Sequence, residues 1–588
     1  MQDPKQTESG PVSLAIPAVS MRPTPMGRQH AVSSGHYLAS IAANRVLDAG
    51  GNAIDAGVTA AFALAVLQPD IVSIAGVAPT LIYVHKLGRV VSLPGLGHWP
   101  AATDIRRLLA EGDGFSVPDG VLRTVVPAAP ATHITALRRY GTISFAEAVA
   151  PALELARDGF ATYPFLAESL RQAKWRYERW PSSREIFVPG GRTPDVGELF
   201  VQRDLARTLQ SLAEAERDAH GDRDKKLRAV HDHFYRGPIA ASIVRFQQES
   251  GGFLRHEDLA AFEVEPEDSI HAVYHGTEVH SCDTWCQGIV LLQTLKLLEH
   301  DDLRALGQNS PAYVHLLTEA LNLSFADREA YIGDPKFVDV PTATLLSDAY
   351  ARAQRARIRP DACFGEMPDP GDVHGVWKGN PGTNQPSSGH VGMSPDTIYA
   401  CVMDKYGNAY SATLSDTSHD APVVPGLGMV VSTRGHQSRL QDGHPARVEP
   451  GKRPRLTPSP GMALRDGKPY LCFGTPGGDV QSQAMLQVFL NITEFGMQVQ
   501  QAVEAPRFSS ANFPNSFAPH HYMPGRLCLE GNMPRTVFDA MRALGHDVQT
   551  IPVLPAMGGA VCAVLRDPHT RLFHAGADPR REAYALAW

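Results

Sequence analysis

The spacing of apolar residues predicts two helices near the start of the chain, followed by a β-hairpin. From Ala31 an apolar stripe recurs at helical spacing, and it stops at the pair Gly50-Gly51. A second, alanine-rich helix is predicted from Ala53 to Leu67, where small side chains favour close packing. The runs at 81–86 and 89–94 then predict two strands joined by a tight turn.

Helical periodicity dominates the middle of the chain, whereas strand-like runs dominate its last third. The stretch 311–333, for example, is predicted as one long helix. After residue 396 the pattern predicts a helix around 484–495 and strands at 398–403, 409–415, 428–433, 461–464 and 470–475. Because helices and strands occur in blocks rather than in a repeating parallel unit, the predicted fold class is α+β.

A segment rich in proline and glycine separates these two parts. Residues 366–396 hold five prolines and six glycines in 31 positions, and structureless loops of that length are uncommon inside a domain. One explanation is that the chain is cut between Asp396 and Thr397. The new terminal threonine would carry a hydroxyl nucleophile and an α-amine base with a pKa of about 7.7–8. The alternative is ordinary structure, because threonine suits the start of a strand.

Composition limits the kinds of binding partner and the cellular location that we expect for this protein. The chain has 588 residues, with 54 Lys and Arg against 62 Asp and Glu, and a formal net charge of −8. Without a basic stripe, neither nucleic acid nor an anionic membrane is expected as a partner. The most apolar window, 53–84, contains Asp55 and Asp70, which argues against a bilayer span. The N-terminus lacks a convincing export signal, and the seven dispersed cysteines predict reduced thiols in the cytoplasm.

The metal-binding residue types show no convincing pattern. Cys282 and Cys286 lie four positions apart without a matching His or Cys pair, so a structural role is predicted for them. The 24 histidines include no H-E-x-x-H spacing, which disfavours a metallohydrolase. No metal and no other cofactor is therefore predicted.

Distant segments carry motifs that occur together, and in the same order, in one family. Before the Pro/Gly-rich segment these motifs are AVSSGHYLAS (31–40), VLDAGGNAIDAGVTAAFAL (46–64) and SFADREAYIGDP (324–335). After it they are DTIYACVMDKYGNAYS (396–411), GKRPRLTPSP (451–460), GTPGGDVQSQ (474–483), AVEAPRF (502–508) and GADPRR (576–581). The sequence resembles the γ-glutamyltranspeptidases across almost its whole length.

This resemblance implies an N-terminal-nucleophile hydrolase, whose fold is a four-layer αββα sandwich and whose proenzyme cuts itself before a catalytic threonine. That residue is Thr397 here, and Asp396 is the other side of the cleavage site. The implied organisation is a leader at 1–30, a large-subunit region at 31–396 and a small-subunit region at 397–588. The two fragments of one precursor would stay associated, and a homodimer of that unit is the default expectation.

The resemblance also assigns roles around the nucleophile. Gly477 and Gly478 would present backbone N–H groups to the oxyanion, although a Pro-Gly-Gly sequence by itself more often marks a turn. Ser415, opposite Thr397 on the return strand, matches a position whose hydroxyl holds the nucleophile; the alternative is an ordinary strand serine.

The sequence departs from the family where the γ-glutamyl group is recognised. Residues that contact the substrate in the family are replaced by Leu96, Thr417, Gln437 and the pair Leu456-Thr457. Two roles are open for Arg434: it binds a carboxylate of the substrate through two hydrogen bonds, or it pairs with an acidic residue inside the protein. Arg434, Thr457 and Asp479 are predicted to bind substrate. The sequences around residues 396 and 478 are similar to a cytoplasmic branch that includes oxamate amidohydrolases.

The main hypothesis is therefore an amide hydrolase or acyl transferase that forms an ester on Thr397 and passes the acyl group to water or an amine. Its substrates are either γ-glutamyl compounds such as glutathione, or small amides with one carboxylate and no α-amine, such as oxamate or a glutaryl or cephalosporin-type side chain. The alternative from another class is a non-catalytic family member that keeps the fold as a binding module.

Overall fold

The protein has a mixed fold of strands and helices in a computed structural model that describes residues 20–114, 116–373 and 396–588. The strands are β1 Met26–Gly27, β2 His30–Ser34, β3 Thr80–Val84, β4 Arg89–Leu93, β5 Phe160–Ala161, β6 Leu199–Phe200, β7 Ile270–Tyr274, β8 Thr277–Ser281, β9 Ile398–Asp404, β10 Ala409–Leu414, β11 Gly461–Arg465, β12 Lys468–Gly474, β13 Phe508–Ser510, β14 Arg526–Glu530, β15 Asp547–Ile551, β16 Cys562–Arg566, β17 Phe573–Ala577 and β18 Tyr584–Ala587.

The helices fall mostly between β4 and β9, as the periodicity predicted. They are α1 Tyr37–Asp48, α2 Ala53–Leu67, α3 Ile105–Glu111, α4 Ala129–Tyr140, α5 Phe145–Asp158, α6 Pro164–Tyr177, α7 Pro181–Phe187, α8 Arg203–Asp218, α9 Arg223–Tyr235, α10 Pro238–Glu249, α11 His256–Ala260, α12 Ile289–Leu298, α13 Leu303–Leu306, α14 Pro311–Tyr331, α15 Thr342–Leu345, α16 Asp348–Arg355, α17 Val480–Thr493, α18 Val499–Glu504 and α19 Arg535–Ala543. None of the helices in the described ranges is long and apolar enough to cross a membrane.

Two antiparallel sheets organise the molecule. The first has six strands in the order β18-β2-β9-β10-β3-β4, and the second has seven in the order β1-β17-β16-β12-β11-β8-β7. Each sheet combines strands from both sides of residue 396, so the two parts of the chain fold as one unit.

The faces of β9 show how the layers pack. Ile398 and Val402 belong to an apolar cluster that they share with α1 and α2. Tyr399 and Met403 point to the opposite face and pack in a cluster that includes Cys472 of the seven-stranded sheet. Because β9 is buried on both faces, its run of apolar residues is continuous. The predicted mixture of helices and strands is confirmed, and the four-layer αββα arrangement stays a prediction.

Several local predictions differ from the structure. Residues 31–34 form part of β2 rather than a helix; a short strand buried on both faces has no polar alternation to reveal it. Residues 428–433 do not form a strand. Residues 26–27 pair with β17, so the end of the predicted leader is part of a sheet. Residues 1–19, and residues 374–395 of the Pro/Gly-rich segment, lie outside the described residues.

Candidate active site

The hydroxyl groups of Thr397 and Ser415 meet at the open end of the β9–β10 hairpin. Ile398 pairs with Leu414 in the hairpin register, so the residues that flank this pair lie opposite one another. The Thr397 Oγ1 and Ser415 Oγ atoms are 2.6 Å apart, and both residues are fully buried. One hydroxyl therefore donates a hydrogen bond to the other. The roles of nucleophile and partner stay predictions for this pair.

The backbone at Thr397 is strained. Its φ of 70° lies in the left-handed region, which β-branched residues rarely adopt. Such a conformation costs about 1–3 kcal/mol and persists only where the surrounding structure imposes it. A guanidinium N–H of Arg581 faces the carbonyl oxygens of Asp396 and Thr397 at 3.4 and 3.3 Å. The peptide bond between Asp396 and Thr397 is thus followed by a strained residue and lies close to a buried cation.

Arg434 connects the residue before Thr397 with Ser415. Its Nη1 donates to the Asp396 carboxylate at 2.9 Å, and its Nη2 donates to the Ser415 hydroxyl. Its Nε lies 3.5 Å from the Asp416 carboxylate. The Arg434 side chain has no exposed surface, so its charge depends on these partners. In the uncut chain, the predicted substrate-binding arginine is occupied by an acid of the protein itself.

The glycine pair Gly477-Gly478 forms the turn between β12 and α17. Their φ values of 120° and 56° favour glycine, and a Cβ on Gly478 would lie 2.8 Å from the Phe517 ring. Their carbonyls accept hydrogen bonds, for example from Gln287 to Gly478 at 3.1 Å. Among the described residues, no hydrogen bond uses the N–H of either glycine. The turn can therefore offer N–H donors to a ligand.

Asp479 immediately precedes α17 and is held inside the protein. Its carboxylate forms an ion pair with the buried Arg328 of α14. It also accepts from the N–H and the hydroxyl of Ser516 at 2.8 and 2.6 Å. Asp479 lines the cavity described below, but these partners already occupy both of its oxygens.

Thr457 is not part of the same cavity. It is fully buried, and its hydroxyl accepts a hydrogen bond from the Gln437 side chain at 2.8 Å. Gln437 in turn accepts from the Thr457 N–H at 3.2 Å. The structure therefore pairs two positions where the family's substrate contacts are replaced, and it does not bring either of them to the cavity lining.

A cavity of about 320 Å³ adjoins Asp396, the first residue of the predicted cleavage site. Asp396, Thr417 and the glycine pair contribute to its wall. Its charged and imidazole lining comprises Asp119, Arg123, Arg176, His419, Asp420, Asp479, His436 and His521, and its larger apolar lining comprises Val480, Phe513, Phe517, Pro519, Met523, Ile551 and Met557. A small polar ligand with an apolar portion fits such a lining.

The arginines of this cavity were not found by sequence reasoning. Arg123 pairs with Asp119 at 2.6 Å, and Arg176 pairs with Asp420 at 2.8 Å. They come from separate helical segments and belong to no motif, so only the tertiary structure identifies them. Burial, with the charge of Arg123 second, lowers the pKa of His436 to about 3, which keeps this imidazole neutral at pH 7.

Metal-binding residue types do cluster elsewhere. Among the described residues, two groups could hold a metal ion: His315, Glu319 and His546, which are buried, and His271, Glu278 and His280, which are partly exposed. None of the six lines the cavity. Cys282 and Cys286 are buried free thiols, and the Cys286 thiol donates to the Cys282 carbonyl at 3.8 Å.

Comparison with known proteins identifies the class. A model of the gamma-glutamyltranspeptidase family matches residues 39–588. The glutathione hydrolase-like YwrD proenzyme of Bacillus subtilis is 30% identical over 572 residues, which cover 96% of this chain and 100% of that protein. The acylase ACY 1 proenzyme of Pseudomonas sp. strain SE83 is 31% identical over 554 residues, with 92% and 90% coverage.

A solved structure agrees with these relatives. The cephalosporin acylase from Bacillus halodurans superposes with a TM-score of 0.84 at 29% identity, with 99% of each chain covered. The fold and these likenesses define the protein as a hydrolase. The chain belongs to the γ-glutamyltranspeptidase family, which confirms the resemblance seen in the motifs.

Proposed function

We propose that this protein is a self-processing amide hydrolase or acyl transferase that works through an ester on Thr397. The observation that carries the proposal is the 2.6 Å contact between the Thr397 and Ser415 hydroxyls. Asp396, the residue before Thr397, lines a cavity together with the glycine turn. A nucleophile, a hydroxyl that orients it and candidate oxyanion donors are the parts that acyl transfer requires.

Self-cleavage is the first step. The Thr397 hydroxyl oxygen attacks the Asp396 carbonyl carbon, and its proton passes to the departing nitrogen as the C–N bond breaks. The result is an ester between the Asp396 acyl group and the Thr397 oxygen, together with a free α-amine on Thr397. Water then hydrolyses the ester, which leaves a carboxyl terminus at Asp396. The strained φ of Thr397 supports this step, because cleavage removes the constraint.

Turnover repeats the same chemistry on a substrate amide. The α-amine of Thr397 takes the hydroxyl proton, the oxygen attacks the substrate carbonyl, and the N–H groups of Gly477 and Gly478 stabilise the oxyanion. One such donor contributes about 3–4 kcal/mol to transition-state stabilisation. The amine product leaves, and water or a second amine then takes the acyl group from Thr397.

The organisation follows from the cut. Residues 1–396, which include the large-subunit region 31–396, and residues 397–588 form the large and small fragments. They remain associated because each sheet contains strands of both. The two sheets and their helices form the four-layer αββα sandwich of N-terminal-nucleophile hydrolases. The assembled unit is cytoplasmic, acts without a cofactor and forms a homodimer.

The substrate is a small amide that bears a carboxylate. One relative is named a glutathione hydrolase-like proenzyme and others are named acylases, so γ-glutamyl compounds and non-amino acyl groups are both candidates. The replacement of family substrate contacts by Leu96 and Gln437 favours an acyl group without an α-amine, as in the oxamate-type branch. The hydroxyl pair and the glycine turn favour an enzyme over a non-catalytic family member.

A denaturing gel with mass spectrometry tests the proposal. The purified wild-type protein should appear as fragments 1–396 and 397–588, with Thr397 as a free N-terminus. Thr397→Ala should remain one chain and be inactive, whereas the matched Thr397→Ser should still cut and turn over slowly. An intact wild-type chain that hydrolyses amides, or cutting by Thr397→Ala, would contradict the mechanism.

A further inference from the structure

The uncut chain already holds an acyl group in its active site, namely Asp396. The carbonyl of Asp396 is the carbon that Thr397 attacks in the proposed self-cleavage. Its side-chain carboxylate accepts a hydrogen bond from Arg434 Nη1 at 2.9 Å. The same residue also lines the cavity beside Gly477 and Gly478. In that step Asp396 is the acyl half of the amide that Thr397 cleaves.

Self-cleavage removes this occupant. Once the ester on Thr397 is hydrolysed, the Asp396 residue is a chain terminus and is free to leave. Among the described residues, the remaining acid near Arg434 is Asp416, whose carboxylate lies 3.5 Å from Nε rather than at Nη1. Asp416 is itself engaged by the Ser432 hydroxyl and the Thr433 N–H, each at 2.8 Å. Arg434 Nη1 would then be a buried donor without its carboxylate.

A buried cation that loses its anionic partner is unfavourable, so the mature site is complementary to a new carboxylate. A carboxylate that replaces the Asp396 side chain restores the charge-assisted hydrogen bond to Arg434. The number of carbons between this carboxylate and the carbonyl that Thr397 attacks should match the number in Asp396. In Asp396, Cα and Cβ separate the attacked carbonyl carbon from the side-chain carboxyl carbon.

We propose that the preferred substrate is the monoamide of a four-carbon dicarboxylic acid. Its acyl group is of the succinyl type, and its free carboxylate binds Arg434. In γ-glutamyl and glutaryl amides three carbons separate the two carbonyl groups, and in oxamate none does. The inference rests on the proposed function, because it takes the self-cleavage ester as the template for the substrate ester.

A chain-length series on the mature wild-type protein tests the proposal. The substrates are the p-nitroanilides of malonyl, succinyl, glutaryl, γ-glutamyl and acetyl groups, whose release of p-nitroaniline is measured. We expect kcat/KM for the succinyl compound to exceed that for the glutaryl and acetyl compounds at least tenfold. A higher value for the glutaryl, malonyl or γ-glutamyl compound, or an equal value for acetyl, overturns the proposal in a protein that is cut and active. If the protein stays uncut and hydrolyses none of these compounds, the proposed function is wrong, and this inference is then wrong as well.

A second measurement assigns the selectivity to Arg434. Because this residue also contacts Ser415, the readout is the ratio of succinyl to acetyl kcat/KM within each cut variant, which cancels general losses of activity. Arg434→Lys should reduce this ratio at least tenfold, mainly through KM for the succinyl compound. The matched Arg176→Lys changes an arginine of the cavity lining, which pairs with Asp420 at 2.8 Å, and should keep the ratio. A ratio that falls in Arg176→Lys and persists in Arg434→Lys would overturn the assignment.

Discussion

Arg434 donates to the carboxylate of Asp396 at 2.9 Å, and Asp396 is the residue that precedes Thr397. The same guanidinium also reaches the hydroxyl of Ser415, the partner of Thr397. One buried cation thus positions both sides of the proposed reaction in the uncut chain: the carbonyl group that is attacked and the hydroxyl group beside the nucleophile. Because Asp396 is no longer bonded to Thr397 after the proposed cleavage, the two stages of the reaction should respond differently to changes at this residue.

Asp396→Asn should slow self-cleavage without changing the mature enzyme. The amide weakens the charge-assisted contact with Arg434, which is worth about 1.5–3 kcal/mol, so the processing rate should fall about tenfold to a hundredfold. Processing is followed on a denaturing gel, and kcat is measured on the fraction that has been cut. If kcat of the cut fraction falls as strongly as the processing rate, Asp396 remains in the site after cleavage and our account is wrong.

Ser415→Ala should impair both processing and turnover. It removes the hydroxyl 2.6 Å from Thr397 Oγ1 and leaves Arg434 Nη2 without an acceptor. We expect a loss of about tenfold to a hundredfold in kcat, since one buried hydrogen-bond partner is worth about 1–3 kcal/mol. Ser415→Thr keeps the hydroxyl and should retain most of the activity.

Ser411→Ala is the matched control for Ser415→Ala. It removes a buried hydroxyl four residues before Ser415. Ser411 lies in β10 and forms a hydrogen bond of 2.6 Å with the Tyr399 hydroxyl. It should lower thermal stability but leave the rate of the cut enzyme within about twofold. Equal effects of the two variants on kcat would mean that Ser415 has only a structural role.

Gly478→Ala should reduce kcat more than it reduces stability. The added Cβ would lie 2.8 Å from the Phe517 ring and would occupy a φ of 56°, so the turn must shift. Displacement of an oxyanion donor is expected to cost about a hundredfold to a thousandfold in kcat. Gly496→Ala is the control, because its φ of 65° is similarly unfavourable but no atom lies within 4 Å of the new Cβ. If both variants lose the same stability and neither loses kcat, the glycine turn does not stabilise the oxyanion.

Stability should fall in acid partly because of His133. Burial lowers the pKa of this histidine from the ordinary 6.5 to about 3, and its ring packs on Phe62 at 5.0 Å. Between these pH values the unfolded chain binds more protons than the folded protein. The contribution of neutral His133 is therefore complete above pH 6.5 and is lost as the pH falls toward 3.

His133→Gln removes the histidine that takes up a proton on unfolding. When the pH is lowered from 6.5 to 4.5, the free energy of unfolding should decrease in both proteins, and the decrease should be smaller in the variant by up to about 2 kcal/mol. Urea denaturation of the uncut Thr397→Ala protein provides the measurement without fragment dissociation. His220→Gln, at an exposed position, should leave the pH dependence as it was; an equal change in both variants would exclude burial as the cause.

Local sequence patterns predicted the elements that carry Thr397. The apolar run after residue 397 and the turn at 404–408 predicted the hairpin, and the structure forms it as β9 and β10. Pro476-Gly477-Gly478 forms a turn after β12, and the positive φ values of the two glycines favour glycine there. Their predicted role as oxyanion donors stays a prediction. In contrast, β2 was predicted as helix, since a strand of five buried residues beside a helix has no periodicity of its own.

The substrate-facing residues were less predictable. Asp479 was predicted to bind substrate, but it is paired with Arg328, which lies 151 positions away in sequence. Thr457 was predicted for the same role, yet it bonds Gln437 away from the cavity lining. Arg123 and Arg176 line the cavity and were not predicted. Pairings of this kind depend on which distant side chains share a buried space, and no local pattern encodes them.

The sequence by itself determined the family, the mixed composition of helices and strands, and the threonine at the head of a hairpin, because these depend on spacing and local backbone preference. Only the tertiary structure decided what surrounds that threonine. Arg434 and Asp396 lie 38 positions apart, and they meet because a buried charge must find its partner wherever the packed chain brings one.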